Sequence, residues 1–322
     1  MTGTAPEHTD NGRAATTETM TVVHEMGSGI SVRARDVELL RYTYRDATPA
    51  RECPAPHFHP LRDLNGEIVT GHRPHDHRWH KGLAMTASHL SGQNFWGGGT
   101  YTPGAPGTGY VDLPNVGALR HRDFQSLRDG ARPGFVEDVD WITADGQRWV
   151  DENRSVRAGF VPGDRGGWQL EVRSRLTNVR GQPLEFASPT VFGRQLAGYC
   201  GFFWRGPRSF TGGAVTSPGG DSAEEMMGTA APWLAFTGVH DGTDRTSTLL
   251  FLHHPGNPVP DPRWFVRSQP FPVVNPSLAF HRPLELADGD TLRLAYRLLV
   301  FDGARTRPQL EAVIADNPWE DT

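Results

Sequence analysis

The 322-residue sequence is poor in cysteine, in lysine and in long apolar runs, and each shortage closes off a class of protein. Two cysteines, Cys53 and Cys200, cannot build a disulfide framework; a single Cys53–Cys200 bridge is the only pairing open, and so low a count fits a reducing compartment. Lysine occurs once, at Lys81, every other basic residue being arginine. With 32 basic against 37 acidic residues the formal charge is −5, which suggests neither nucleic acid nor an anionic membrane surface as a partner. No apolar run approaches the roughly 20 residues of a membrane helix. The stretch Met1 to Thr19 is polar and lacks an apolar core, so it reads as a disordered leader and not as a secretory signal. A soluble, cytoplasmic protein is expected. Familiar catalytic motifs are missing too. Gly97-Gly98-Gly99 is followed by no Lys-Ser/Thr and opens no helix, and there is neither a G-x-S-x-G elbow nor an H-E-x-x-H helix.

Histidine is abundant instead. Six of the 14 histidines fall between Pro56 and Leu83, namely His57, His59, His72, His75, His77 and His80. Imidazole serves as acid, base and metal ligand near neutral pH, whereas core packing favours aliphatic residues. This stretch therefore reads as chemistry, with a polar loop network as the plainer alternative.

Around it the chain is strand-rich. Arg41 to Tyr44, Phe135 to Thr143, Gln147 to Glu152, Trp168 to Leu176, Trp233 to Val239, Ser247 to His253, Trp264 to Arg267 and Thr291 to Phe301 carry alternating or short apolar patterns bounded by turn residues. Trp168 to Leu176 has the cleanest alternation and is expected to be half-exposed. A period of two places His57 and His59 on one face of a strand and Phe58 on the other. Only Pro308 to Ala315 predicts a longer helix, with Thr306 as its N-cap. Repeats and interdomain linkers are absent. The fold class is all-β: one large antiparallel β-sandwich over residues 20–322 with few short helices.

Two readings of the histidines stay open. His57-x-His59 and His75-x-His77 have chelating spacing and could hold a divalent transition metal such as zinc, copper, nickel or iron. Alternatively His77 and His80 exchange protons with a substrate while Asp76 fixes a tautomer. Phe202-Phe203-Trp204 with Arg205 and Arg208 could wall a sugar site; alternation would bury Phe203 and turn Phe202 and Trp204 the other way. The bland account of the same run is a buried strand ending in a turn at Gly206-Pro207. Trp96, Tyr101 and Tyr110 lie in the glycine- and proline-rich span before Gly117 and argue for an ordered lid over a site.

The motifs FHPL (Phe58–Leu61), RPHDHRWHKGL (Arg73–Leu83), NFWGG (Asn94–Gly98), GFFWRGPRSFTGG (Gly201–Gly213) and WFVR (Trp264–Arg267) resemble a family of bacterial proteins known as methane-oxygenase PmoA-like and otherwise of unknown function. That resemblance implies His59, Asp76, His77, His80, Arg205 and Arg208 as site residues. A genuine subunit of the methane oxygenase spans a membrane, which this sequence gives no means of doing. A weaker resemblance is to the galactose-mutarotase-like supersandwich proteins. His80-Lys81-Gly82-Leu83 looks like their histidine loop, but Arg267 and Gln269 stand where their catalytic glutamate is expected. The departure speaks against simple mutarotation and leaves sugar binding open.

The expectation is a carbohydrate-active enzyme, of epimerase, hydrolase or lyase type, on a β-supersandwich. His77, His80, His59 and Asp76 would supply the acid–base chemistry, and Arg205, Arg208, Trp96, Trp204 and Arg267 would hold a sugar or sugar derivative. A non-catalytic sugar-binding protein and a metal-dependent oxygenase are the alternatives. Composition does not indicate an oligomeric state.

Overall fold

The computed structural model describes residues 19–320; the expected leader lies outside them except for its last residue. Two antiparallel sheets dominate. The longer has eleven strands, and its main path runs Thr21–Glu25, Gly29–Ala34, Val37–Thr43, His57–Leu61, Leu83–Leu90, Gly201–Arg205, Val273–Ser277, Arg263–Arg267. The eight-stranded sheet runs Ala214–Thr216, Trp233–Val239, Thr246–His253, Thr291–Asp302, Gly167–Asn178, Arg148–Phe160, Gly134–Ile142, Ala118–Arg128. The large antiparallel β-sandwich expected from the sequence is the architecture observed. No described helix is long and apolar enough to cross a membrane.

The inner faces meet through aromatic side chains. Phe202 stacks on Tyr296 with centroids 4.8 Å apart, and Trp204 lies against Phe236 and Phe251. A polar bolt also crosses the core: Arg154, 2% exposed, donates to Glu152 through two nitrogens and to the Tyr42 hydroxyl of the opposite sheet. A buried guanidinium in a low-dielectric interior demands such complete pairing.

The Arg307–Asp316 helix begins at Thr306, whose backbone N–H donates to Gln309 in a capping box. It packs Leu310, Val313 and Ile314 on the outer face of the eight-stranded sheet. That cover corrects one expectation. Trp168 to Leu176 belongs to a strand buried on most of both faces, because the C-terminal segment shields the outer one; Glu171 is 5% exposed and pairs with Arg173 and Arg297. Cys53 and Cys200 are both buried free thiols, so the single bridge does not form.

Candidate functional site

The site lies on the outer face of the longer sheet, opposite the sandwich core. In Gly201–Arg205 strict alternation sends Phe202 and Trp204 inward and Phe203 and Arg205 outward. The Arg263–Arg267 strand, one strand beyond Val273–Ser277, turns Phe265 and Arg267 outward in the same way, with Trp264 and Val266 in the core. The pairings Arg205↔Val273 and Arg267↔Val273 set these three residues in one row across three strands. Loops then wall this face to leave a cavity of about 460 Å³, within the range of small-molecule sites.

One wall is the histidine loop. Its ends are pinned to the sheet by Gly71 N–H to Arg205 O (2.8 Å) and Arg205 N–H to Gly82 O (2.7 Å), and Arg73 N–H bonds His80 O at 2.7 Å within it. Arg73 also forks onto Glu52 through Nε and Nη2 at 2.6 and 2.9 Å. The lone lysine closes the base. Lys81 Nζ, 4% exposed, donates to Asp46 Oδ2 (2.5 Å), Thr48 Oγ1 (2.8 Å) and Cys53 O (2.8 Å). A compact ammonium with three donors meets three acceptors, a task the planar arginine fork fits poorly.

This loop brings His77, Trp79 and His80 to the cavity. The imidazoles of His77 and His80 are 4.8 Å apart by centroid, and both contact Phe271. Arg205 Nη1 lies 3.3 Å from His80 Nδ1. Guanidinium only donates, so Nδ1 accepts and Nε2 carries the proton. Burial, the charge of His77 and then that of Arg205 hold the His80 pKa well below its usual value, so this ring stays neutral. His77 differs. Its Nδ1 sits 3.4 Å from Asp76 Oδ2, near enough for attraction but outside good hydrogen-bond geometry. The carboxylate favours the proton on Nδ1, leaving Nε2 as the basic nitrogen. Burial lowers the His77 pKa against the opposing pull of Asp76, so at neutral pH it is a free base. The Trp79 indole borders the cavity, while its Nε1 is buried with no acceptor among the described residues.

The opposite walls come from loops. In Asn94-Phe95-Trp96-Gly97, Asn94 Oδ1 accepts from the N–H groups of Trp96 and Gly97 at 2.8 and 2.9 Å, a side-chain turn that sets Trp96 against His80 and Phe203. Gly97 (φ +99°) and Gly98 (φ +66°) lie directly under Trp79. A Cβ on Gly97 would stand 2.6 Å from Trp79 Cβ, and one on Gly98 would stand 2.8 Å from the indole ring. Thr100–Tyr101 pairs with Tyr110–Val111, bringing Tyr110 to the cavity beside Tyr199, hydroxyl to hydroxyl at 2.5 Å. Tyr110 also accepts from Arg194, whose guanidinium lies 4.5 Å over its ring.

Several expected site residues lie elsewhere. Trp204, fully buried, is a core residue bonded to Val69 O, and Phe203 takes the cavity position; the alternation is as expected but its faces are exchanged. Arg205 is 1% exposed and sits behind His80 and Phe271, supporting a histidine and not lining the cavity. Arg208 is on the surface, where it donates to Asp76 Oδ1 at 2.7 Å. His57 and His59 do share one face, but there they stack on His72, with His57 Nδ1 on Ala55 O and His59 Nδ1 on Thr70 Oγ1. Neither lines the cavity. The proposed ligand set of His57, His59, His75 and His77 is thus dispersed, His75 pointing to Arg208, and no three His, Cys, Asp or Glu among the described residues group into a metal site. Trp96 and Arg267 do line the cavity. Tyr199, Arg194, Phe271 and the Arg51–Asp112 pair escaped sequence reasoning, since they lie in aperiodic loops or, for Arg51, a single 3-10 turn; only the density of aromatic residues near Tyr110 pointed that way.

Residues 29–315 match the model of a family described as a family of unknown function, DUF6807. The chain belongs to that family. No protein of curated function matches the DUF6807 chain. Among solved structures it is similar to the GH36 alpha-galactosidase AgaA of Geobacillus stearothermophilus in complex with raffinose, with 10% identity, a TM-score of 0.37 and 91% of this chain aligned. It is also similar to a protein from the human microbiome assigned as a kojibiose phosphorylase, with 8% identity, a TM-score of 0.33 and 93% aligned. A third likeness is to a protein assigned as an aldose 1-epimerase from Klebsiella pneumoniae subsp. pneumoniae, with 12% identity, a TM-score of 0.37 and 92% aligned. The chain spans 42%, 32% and 85% of the lengths of these three. At such TM-scores the likenesses carry no weight for activity or substrate. Nothing in them bears on the methane-oxygenase resemblance.

Proposed function

We propose that this chain is a carbohydrate-active enzyme working by histidine acid–base chemistry. The observation that carries the reading is the pairing of two neighbouring imidazoles in different protonation environments on one cavity. His77, a free base with Asp76 behind it, takes a proton at Nε2. His80, kept neutral with its proton on Nε2, donates a hydrogen bond to a substrate oxygen. Such a division of labour is what proton transfer to and from a hydroxylated ring requires. Trp79, Trp96, Phe265 and Phe271 supply apolar faces on which a sugar ring can stack. Asp76 and Arg205 act as positioning residues through the two histidines.

The test is a screen of sugars and keto-sugars for turnover by nuclear magnetic resonance in heavy water, which reports bond cleavage, epimerisation and solvent-proton exchange together. For any substrate found, His77→Gln should lower kcat by about 10²–10⁴-fold. Asp76→Asn should cost less and chiefly move the pH profile. Turnover by His77→Gln and His80→Gln at the wild-type rate would defeat the reading.

A further inference from the structure

The cavity carries a charge excess that acid–base chemistry on a neutral sugar does not use. Arg51, Arg194 and Arg267 line it, and among the described residues Asp112 is the single carboxylate on its wall. Asp112 is already taken, held by Arg51 Nε and Nη2 at 3.2 and 3.0 Å. Arg194 and Arg267 have no carboxylate within ion-pair distance among the described residues. They line the same cavity, and burial first, then the charge of Arg194, lowers the pKa of Arg267. Two guanidinium groups arranged this way in a chain of net charge −5 repel one another and lack a counter-ion. Both are half-buried against aromatic rings. Arg267 lies against the Phe265 ring at 5.3 Å, and Arg194 is fixed on Tyr110.

We infer that these two arginines form an oxyanion subsite in the cavity, and that the substrate is an acidic sugar whose carboxylate or phosphate binds Arg267 and Arg194. The inference rests on the acid–base reading above and narrows its substrate class. Sheet geometry supplies the spacing. Arg205, beside His80, and Arg267 occupy one row with Val273 between them, so their backbones are two interstrand steps apart, about 10 Å. A single sugar ring with its ionised group on Arg267 can therefore present another ring position to His77 and His80. Fixing the charged end contributes orientation as well as affinity, because guanidinium donates paired hydrogen bonds to carboxylate and phosphate oxygens.

Isothermal titration of the wild-type protein with D-glucuronate, D-gluconate, D-glucose 6-phosphate, D-glucose and inorganic phosphate tests this and separates the two anion types. At least one acidic sugar should bind about tenfold more tightly than D-glucose, with the advantage shrinking at high salt. Arg267→Gln should abolish the difference between acidic and neutral sugars, and Arg267→Lys should restore part of it. Equal or tighter binding of D-glucose would overturn the oxyanion subsite while leaving the sugar reading in place. Binding of phosphate that is lost in Arg267→Gln, with no sugar of either kind bound, would keep the subsite and remove the sugar reading. Binding of none of the five would overturn both. The wild-type comparison is decisive even where a variant folds poorly.

Discussion

Replacing Lys81 by methionine tests whether the base of the histidine loop is held by one buried charge pair. The substitution keeps the length of the side chain and removes three donors. Lys81 and Asp46 are exposed by only 3% and 5% of their side chains, so the stranded carboxylate cannot recover solvation. Breaking such a pair from one side costs about 3–5 kcal/mol, which at about 2 °C per kcal/mol lowers the melting temperature by roughly 6–10 °C. The pH dependence gives a sharper signature. Burial raises the Asp46 pKa, but the neighbouring ammonium outweighs it and holds the carboxyl below its usual range. The stabilisation it brings is therefore present above the unfolded value, about 4, and is lost as pH falls through the folded value. In Lys81→Met the carboxyl keeps its hydrogen bonds from Thr48 and Ala55 but loses the ammonium, so burial weighs more heavily and it protonates at higher pH. The stability gap between wild type and variant should then narrow from pH 7 to pH 4, and Lys81→Met with Asp46→Asn should recover more than half of the loss. Urea unfolding followed by tryptophan fluorescence at both pH values measures this. A loss under about 1 kcal/mol at pH 7, or a gap that does not narrow in acid, would refute the account of Lys81 as a buried clamp.

Other consequences are equally open to measurement. Burial pulls the pKa of His57 down to about 4 and that of His59 to about 3. The unfolded chain therefore binds more protons below about pH 6.5, and stability should fall with acid by up to about 1.4 kcal/mol per pH unit for each ring; His57→Gln should flatten the slope of urea midpoint against pH. The lowered pKa of His77 places the acid limb of kcat/KM below pH 6.5 for any substrate found, and a limb above that value would contradict its role as free base. Trp204→Ala should cost about 3–5 kcal/mol in urea unfolding, whereas Trp96→Ala should act mainly on ligand affinity. Gly98→Ala should destabilise by about 1–3 kcal/mol, through a left-handed backbone and a clash with Trp79, and should shift tryptophan emission.

Periodicity explains how much of this was legible beforehand. The Trp233–Val239 strand, the Thr306 cap and the shared face of His57 and His59 all follow from local pattern. Gly201–Arg205 shows where pattern stops. Every residue in it is buried, so alternation assigns two faces without saying which meets the other sheet, and Phe203 and Trp204 were exchanged for that reason. The row Arg205–Val273–Arg267 sets Arg205 beside a strand pair that follows more than 60 positions later, and that long-range pairing is reported by no local signal. Arg194, Tyr199 and Phe271 reach the cavity from loops whose course is set by tertiary contacts.

The glycine pair beneath Trp79 bears on how this cavity can change. Its Trp79 wall rests on backbone at Gly97 and Gly98, with no side chain between them to trim or enlarge. Substitution there moves the chain itself, so that wall is fixed in size as well as in place. The end formed by Tyr110, Arg194 and Arg267 is built from side chains and can be reshaped one residue at a time. Divergence in ligand preference among chains of this architecture should accordingly accumulate at the arginine end, while the Trp79 and histidine end stays constant in shape.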